Sequence, residues 1–154
     1  MDEGVGRVID TVRGLGLDAN TLVFFMSDNG ACHEGSNEPL RGYKGSLWEG
    51  GHRVPAMAWW PGRIEPGRTI GGAAMTMDLF PTMTALVGHA AAPGECDGVS
   101  LAPALFDGEK LPDRALFWRF RQEAAVRRGP WKLLVRRGSQ GKSEKVHLFN
   151  LAED

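Results

Sequence analysis

Apolar residues at Val5, Val8, Ile9, Val12 and Leu15 recur at spacings of three and four, which sets them along one stripe of a helix. Asp2 is available to cap its start, and Gly14 and Gly16 mark its end. Asp18-Ala19-Asn20 then turns the chain into Thr21–Met26, a short β-branched and aromatic run. That run does not alternate apolar with polar positions. It therefore reads as a strand covered on both faces, the setting of a parallel sheet flanked by helices. From Gly30 to about Arg53 the chain is glycine-rich and polar, longer than a simple connection, and long ordered loops of this kind commonly carry function. Val54–Trp60 resumes an apolar strand, PGRIEPGR turns twice, and Met77–Val87 predicts a second helix with Pro81 in its first turn.

Past Gly88 the texture changes. AAAPGECDG is a loop, and Ala115–Phe120, Ala124–Val126, Trp131–Arg137 and Val146–Leu151 are short strands separated by turn residues, the pattern of an antiparallel meander. The fold class expected is α/β: part of a doubly wound sheet over residues 1–90, followed by a small C-terminal antiparallel β-meander over residues 91–154. One helix-strand-loop-strand-helix unit cannot complete a doubly wound sheet, so partner strands are expected outside these residues.

Composition adds limits. A chain of 154 residues with 42% hydrophobic content can bury a core. The longest apolar run, Leu22–Met26, is far short of the ~20 residues of a membrane-crossing helix, so no membrane span is expected. The start MDEGVGR lacks the basic and apolar regions of a secretory signal, and localisation stays open. Cys32 and Cys96 are too few for a disulfide scaffold. The net charge of −1 hides an asymmetry, because Asp113 to Lys145 holds ten basic and three acidic residues. Such a segment either binds polyanions or guards strand edges with charge. The second reading is preferred, and no nucleic-acid partner is expected.

The candidate chemistry begins at Ser27-Asp28-Asn29-Gly30, at the carboxyl end of the first strand, where open α/β sheets place their ligands. Asp28 and Asn29 offer a carboxylate and an amide oxygen, hard donors suited to Ca²⁺ or Mg²⁺. Alone, Asp-Asn-Gly is equally a turn signal. The next segment, LRGYKGSLWEGGHRVP from Leu40 to Pro55, is more specific. A strand ending in S-D-N-G, then G-x-K-G, then W-E-G-G-x-R-V-P, resembles the distal half of the active site in the sulfatase family, of arylsulfatase and N-acetylgalactosamine-6-sulfatase type, within the alkaline phosphatase superfamily. AWWPGRI, MDLFPTMTALVG, DGVSLAPAL, AVRRGPWKLL and LFNLAED extend the resemblance over essentially the whole chain.

The resemblance implies a sulfuric ester hydrolase acting on a sulfate ester, an aryl sulfate or a sulfated glycan. It assigns the divalent cation to Asp28 and Asn29 and the sulfate contact to Lys44. An ammonium is a compact charge with three donors, apt for holding an anionic ester. His33 is a candidate for lining the substrate pocket. A transition-metal site of His33, Cys32 and Asp28 is rejected for lack of the clustered spacing that soft ligands need. Glu49 and Arg53 are expected to form an ion pair that fixes the loop, whereas His52, His89 and His147 show no partner in the sequence.

The family's nucleophile is a formylglycine made from Cys or Ser in C/S-x-P/A-x-R. Neither Cys32 nor Cys96 nor any serine fits that motif, so formylglycine is not encoded here. The expectation is a piece of a sulfatase, inactive alone, whose N-terminal part lies elsewhere. The alternatives are a related phosphatase or phosphodiesterase of the superfamily, a non-catalytic polyanion-binding module, or an orphan fragment.

Overall fold

The computed structural model describes residues 1–32, 34–89, 91–92, 94–138 and 144–153, and these form two compact units. The first joins Met1–Met26 to Ala56–Lys110, and the second joins Ser27–Pro55 to Leu111–Asp154.

In the first unit, helix α1 spans Asp2–Gly14. Its apolar stripe is narrower than the spacing suggests: Val5, Ile9 and Val12 are half-buried, whereas Val8 and Leu15 are exposed. Asp2 does not cap it. Met1 holds the cap position and Asp2 is already helical, so its carboxylate lies within the first turn, where the helix dipole favours a negative charge. The C-terminus closes as a Schellman motif, with Gly16 at φ +67°, its N–H donating to Arg13 O at 2.9 Å and Leu17 N–H donating to Val12 O at 3.0 Å.

Strand β1, Val23–Met26, pairs with β2, Ala56–Trp59, in register from Val23↔Trp59 to Met26↔Ala56. The pairing is antiparallel, which corrects the parallel setting expected for β1. All four β1 residues are half-buried, so the continuous apolar run reported apolarity and not strand direction. Helix α3, Leu79–Leu86, comes after a 3-10 turn at Thr76–Asp78, with Pro81 in its first turn as expected. Asp78 and Thr82 are fully buried because each is hydrogen-bonded. Asp78 accepts from Met75 N at 2.7 Å and Val99 N at 3.0 Å, and Thr82 Oγ1 accepts from Leu101 N at 2.8 Å. Leu101 leads into α4, Ala102–Phe106.

The second unit contains a four-residue helix, α2 at Glu49–His52, and the meander β3 Ala115–Phe120, β4 Glu123–Arg128, β5 Trp131–Arg136 and β6 Lys145–Asn150. The strands pair in sequence order, all antiparallel. Two-residue turns join β3 to β4 through Arg121-Gln122 and β4 to β5 through Gly129-Pro130. Arg121 at φ +52° and Gly129 at φ +55° supply the left-handed residue such hairpins need.

Because side chains alternate across a strand, Leu116, Trp118, Ala125, Lys132, Leu134 and Phe149 share one face. Leu47 packs there with Ala125 and Leu134 as the core, flanked by Trp48, Trp118 and Phe149. On the opposite face Phe117, Trp131, Val146 and Leu148 stay exposed.

The basic run does not make a single surface. Arg127 and Arg128 fall on opposite faces of β4; Arg128 pairs with Asp113 at 3.1 Å, Arg136 with Glu123 at 3.8 Å and Arg137 with Glu144 at 3.9 Å.

Candidate functional site

Residues 27–53 fold back on themselves through main-chain bonds. Gly30 N–H donates to Gly51 O at 3.0 Å, Lys44 N–H to Ala31 O at 3.0 Å, and Gly50 N–H to Arg41 O at 2.8 Å. The approach leaves no room for side chains. A Cβ on Gly30 would lie 1.8 Å from Gly50 O, and one on Gly50 would lie 2.4 Å from Gly42 O.

Asn37, for which the sequence pattern offers no signal, fastens the two halves of the loop. Its Oδ1 accepts from Ala31 N at 2.7 Å, and its Nδ2 donates to Ala31 O at 3.2 Å and Gly42 O at 3.0 Å. An amide suits the position because it both donates and accepts.

The loop thus brings the segment bearing Asp28 and Asn29 beside the segment bearing Lys44. Asp28 and Lys44 are exposed and Asn29 is half-buried, with Ser27 Oγ donating to Asn29 O at 2.7 Å. His33, the candidate pocket residue, lies outside the described residues. Cys32 is an exposed free thiol.

Glu49 pairs with Arg53 at 3.6 Å, as expected, but that pair is the edge of a larger buried cluster. Lys132 Nζ, on β5 and 2% exposed, donates to Glu49 Oε1 at 2.7 Å and to His52 Nε2 at 2.8 Å. Arg127 approaches Glu49 Oε2 at 3.6 Å. His52 stacks on Trp118 at 4.7 Å, and His147 sits 5.2 Å from Trp48 and 5.9 Å from Phe149, so both histidines have partners that the sequence did not reveal.

Burial pushes the Glu49 carboxyl up, but the hydrogen bond and charge of Lys132, with His52 and Arg127, outweigh it and hold the group below its ordinary value. Burial, then the charge of Lys132, depresses His52, which is therefore neutral near pH 7, so its Nε2 can accept a hydrogen bond from the ammonium. Burial lowers Lys132 as well, opposed by Glu49. One signal for this cluster was present. Period-two alternation in Trp131–Arg136 puts Lys132 on the same face as Leu134, an inward position where a lysine needs an acidic partner.

Asp28 and Asn29 suit a hard cation in kind but not in number, since calcium takes roughly six to eight oxygens. Among the described residues no three His, Cys, Asp or Glu side chains gather as a metal set. The described donors do not complete such a site. No described helix is long and apolar enough to cross a membrane.

The loop, braced from behind, thus carries an acid-amide pair of the kind that takes a hard cation on one segment and a lysine of the kind that takes an anion on its neighbour. The family model for sulfatases matches residues 1–89, more than half of the chain, and the chain belongs to the sulfatase family. It is 42% identical to N-acetylgalactosamine-6-sulfatase of Canis lupus familiaris over 125 residues, covering 77% of this chain and 24% of that protein. It is 41% identical to arylsulfatase A of Bos taurus over 143 residues, covering 86% of this chain and 28% of the relative. Among solved structures, Ps i-CgsB in complex with k-i-k-neocarrahexaose matches with a TM-score of 0.85 and 34% identity, over 99% of this chain and 35% of that one. The chain spans about a quarter of the length of the curated relatives. Sulfatases are sulfuric ester hydrolases that generally use a metal and a formylglycine, and the latter's C/S-x-P/A-x-R motif is absent from these 154 residues.

Proposed function

We propose that the whole protein hydrolyses sulfate esters and that this chain supplies the cation-binding pair Asp28 and Asn29 and the sulfate-holding Lys44. The observation that carries the reading is the 3.0 Å bond from Lys44 N–H to Ala31 O. It ties the lysine's segment to a residue three positions beyond Asp28. Exposed side chains on a rigid backbone are what an anionic ligand needs: the ammonium keeps its donors available, and the loop spends no further order in positioning it.

Calcium is the ion proposed, with magnesium as the second choice, because both side chains offer oxygen. Its remaining ligands and the formylglycine come from outside these residues. When bound, the cation would draw negative charge from the ester's sulfate oxygens. Lys44 would donate to the same anion, and Asp28 and Asn29 would be two of the oxygen donors that hold the cation. The substrate class is an aryl sulfate or a sulfated glycan, the chemistries carried by the names of arylsulfatase A and N-acetylgalactosamine-6-sulfatase.

The test is turnover of nitrophenyl sulfate against nitrophenyl phosphate by the whole protein, with calcium titrated in. Lys44→Ala is expected to cut sulfate turnover roughly 100-fold, and Asp28→Ala to weaken calcium binding. A preference for phosphate would replace this reading with that of a related phosphatase or phosphodiesterase.

A further inference from the structure

We infer that Lys132 is a positioning residue for the segments bearing Asp28, Asn29 and Lys44, acting through Glu49. The inference deepens the sulfatase reading and rests on it for what those segments do, but not for how they are held.

Helix α2 has four residues, too few to be stable by itself, so its orientation is set by what it packs against. Its first residue, Glu49, is fixed from the meander: Lys132 Nζ holds Oε1 at 2.7 Å, and Arg127 faces Oε2 at 3.6 Å. Lys132 is 2% exposed, so its ammonium has no water to exchange for the carboxylate, and it lies 83 residues away in sequence. No backbone continuity substitutes for the contact.

The next two residues of α2 are the ones that touch the site. Gly50 O occupies the space beside Gly30, Gly51 O accepts from Gly30 N at 3.0 Å, and Gly50 N donates to Arg41 O at 2.8 Å, three residues before Lys44. A displacement of Glu49 must therefore move Gly50 and Gly51, and through them both halves of the loop. The route from Lys132 to Gly30, the residue next to Asn29, runs through one side-chain contact, two peptide units and one main-chain hydrogen bond. Lys132 touches neither ester nor cation; it acts by fixing where their binding groups stand.

The test is amide hydrogen exchange on the full chain, comparing wild type with Lys132→Met and with the double variant Glu49→Gln/Lys132→Met. The double variant removes the tie without leaving an unpaired buried carboxylate, so it keeps the test decisive if the single variant unfolds. Positioning predicts at least about tenfold faster exchange at the Gly30, Lys44 and Gly50 amides of the double variant, with the β3–β4 amides unchanged. Wild-type rates at Gly30 and Lys44, or an equal acceleration across β3–β4, would overturn it. A parallel calcium titration separates the two readings. Wild type that binds no calcium when whole would remove the metal assignment, while the exchange pattern alone still decides the role of Lys132.

Discussion

The loop over residues 27–53 carries two sets of charges in opposite surroundings. At its front, Asp28 and Lys44 are exposed. At its back, Glu49 and Lys132 are buried against the meander, with the half-buried Arg127 and His52 beside them. An exposed ion keeps its hydration and costs the fold little, whereas a buried one is tolerated only if paired and hydrogen-bonded. The back cluster is thus a structural commitment, each member depending on the others. The front pair is optional for folding and open to a ligand. The difference shows how a loop with few apolar residues is held: its main chain is stitched by Asn37 and glycine contacts, and its helix is anchored on the meander by the buried Glu49 carboxylate, by His52 stacked on Trp118 and by the packing of the adjoining Leu47.

The largest effect is expected from removing one buried partner. Lys132→Met leaves Glu49 buried and short of its closest cation, and is expected to cost about 3–5 kcal/mol in denaturant unfolding. Glu49→Gln/Lys132→Met should cost clearly less than Lys132→Met, because no uncompensated buried carboxylate remains, and Arg127 and Arg53, which lose that partner, are the more exposed members of the cluster. Equal losses would mean that packing around Lys132, and not charge pairing, is what the back of the loop supplies.

Acid is a gentler probe of the same cluster. The folded His52 titrates below its unfolded value of 6.5, so as pH falls past about 6.5 the unfolded chain takes up a proton first and stability drops. Glu49 is likewise depressed from 4.5; its contribution is present above that pH and is lost as pH falls through the lower folded value. Melting temperature should therefore decline in two stages on acidification. His52→Gln should remove the first and leave the second, and an unchanged upper stage in that variant would show that His52 is not its source.

The range of an interaction along the chain decides whether the sequence makes it legible. Strand limits in the meander are readable to within one or two residues, because alternation and turn chemistry are local: Ala115–Phe120 matches its pattern at both ends, and Lys145–Asn150 is shifted by one. The direction of β1 is not readable, since a short apolar run looks the same beside a parallel or an antiparallel neighbour. In the site, Asp28, Asn29 and Lys44 stand out through their motif, and the local Glu49–Arg53 pair through its i,i+4 spacing. Lys132, Arg127 and Trp118 reach Glu49 and His52 from far along the chain, and no spacing rule connects them. Asn37 is hidden for another reason: its bonds are to main-chain groups, which leave no complementary residue type in the sequence.

The smallest expected effect is the most informative about the front of the loop. Without added divalent cation, Asp28→Ala and Lys44→Ala should each change unfolding free energy by no more than about 0.5 kcal/mol, as exposed substitutions away from caps and networks do. With calcium present, and the remaining ligands supplied by the whole protein, the proposed function predicts that Asp28→Ala loses the stabilisation that binding gives wild type, whereas Lys44→Ala, assigned there to the ester and not the metal, retains it. A loss above about 1 kcal/mol for either variant in the cation-free state would show that the exposed pair is also structural. The division between a front that binds and a back that holds would then not stand.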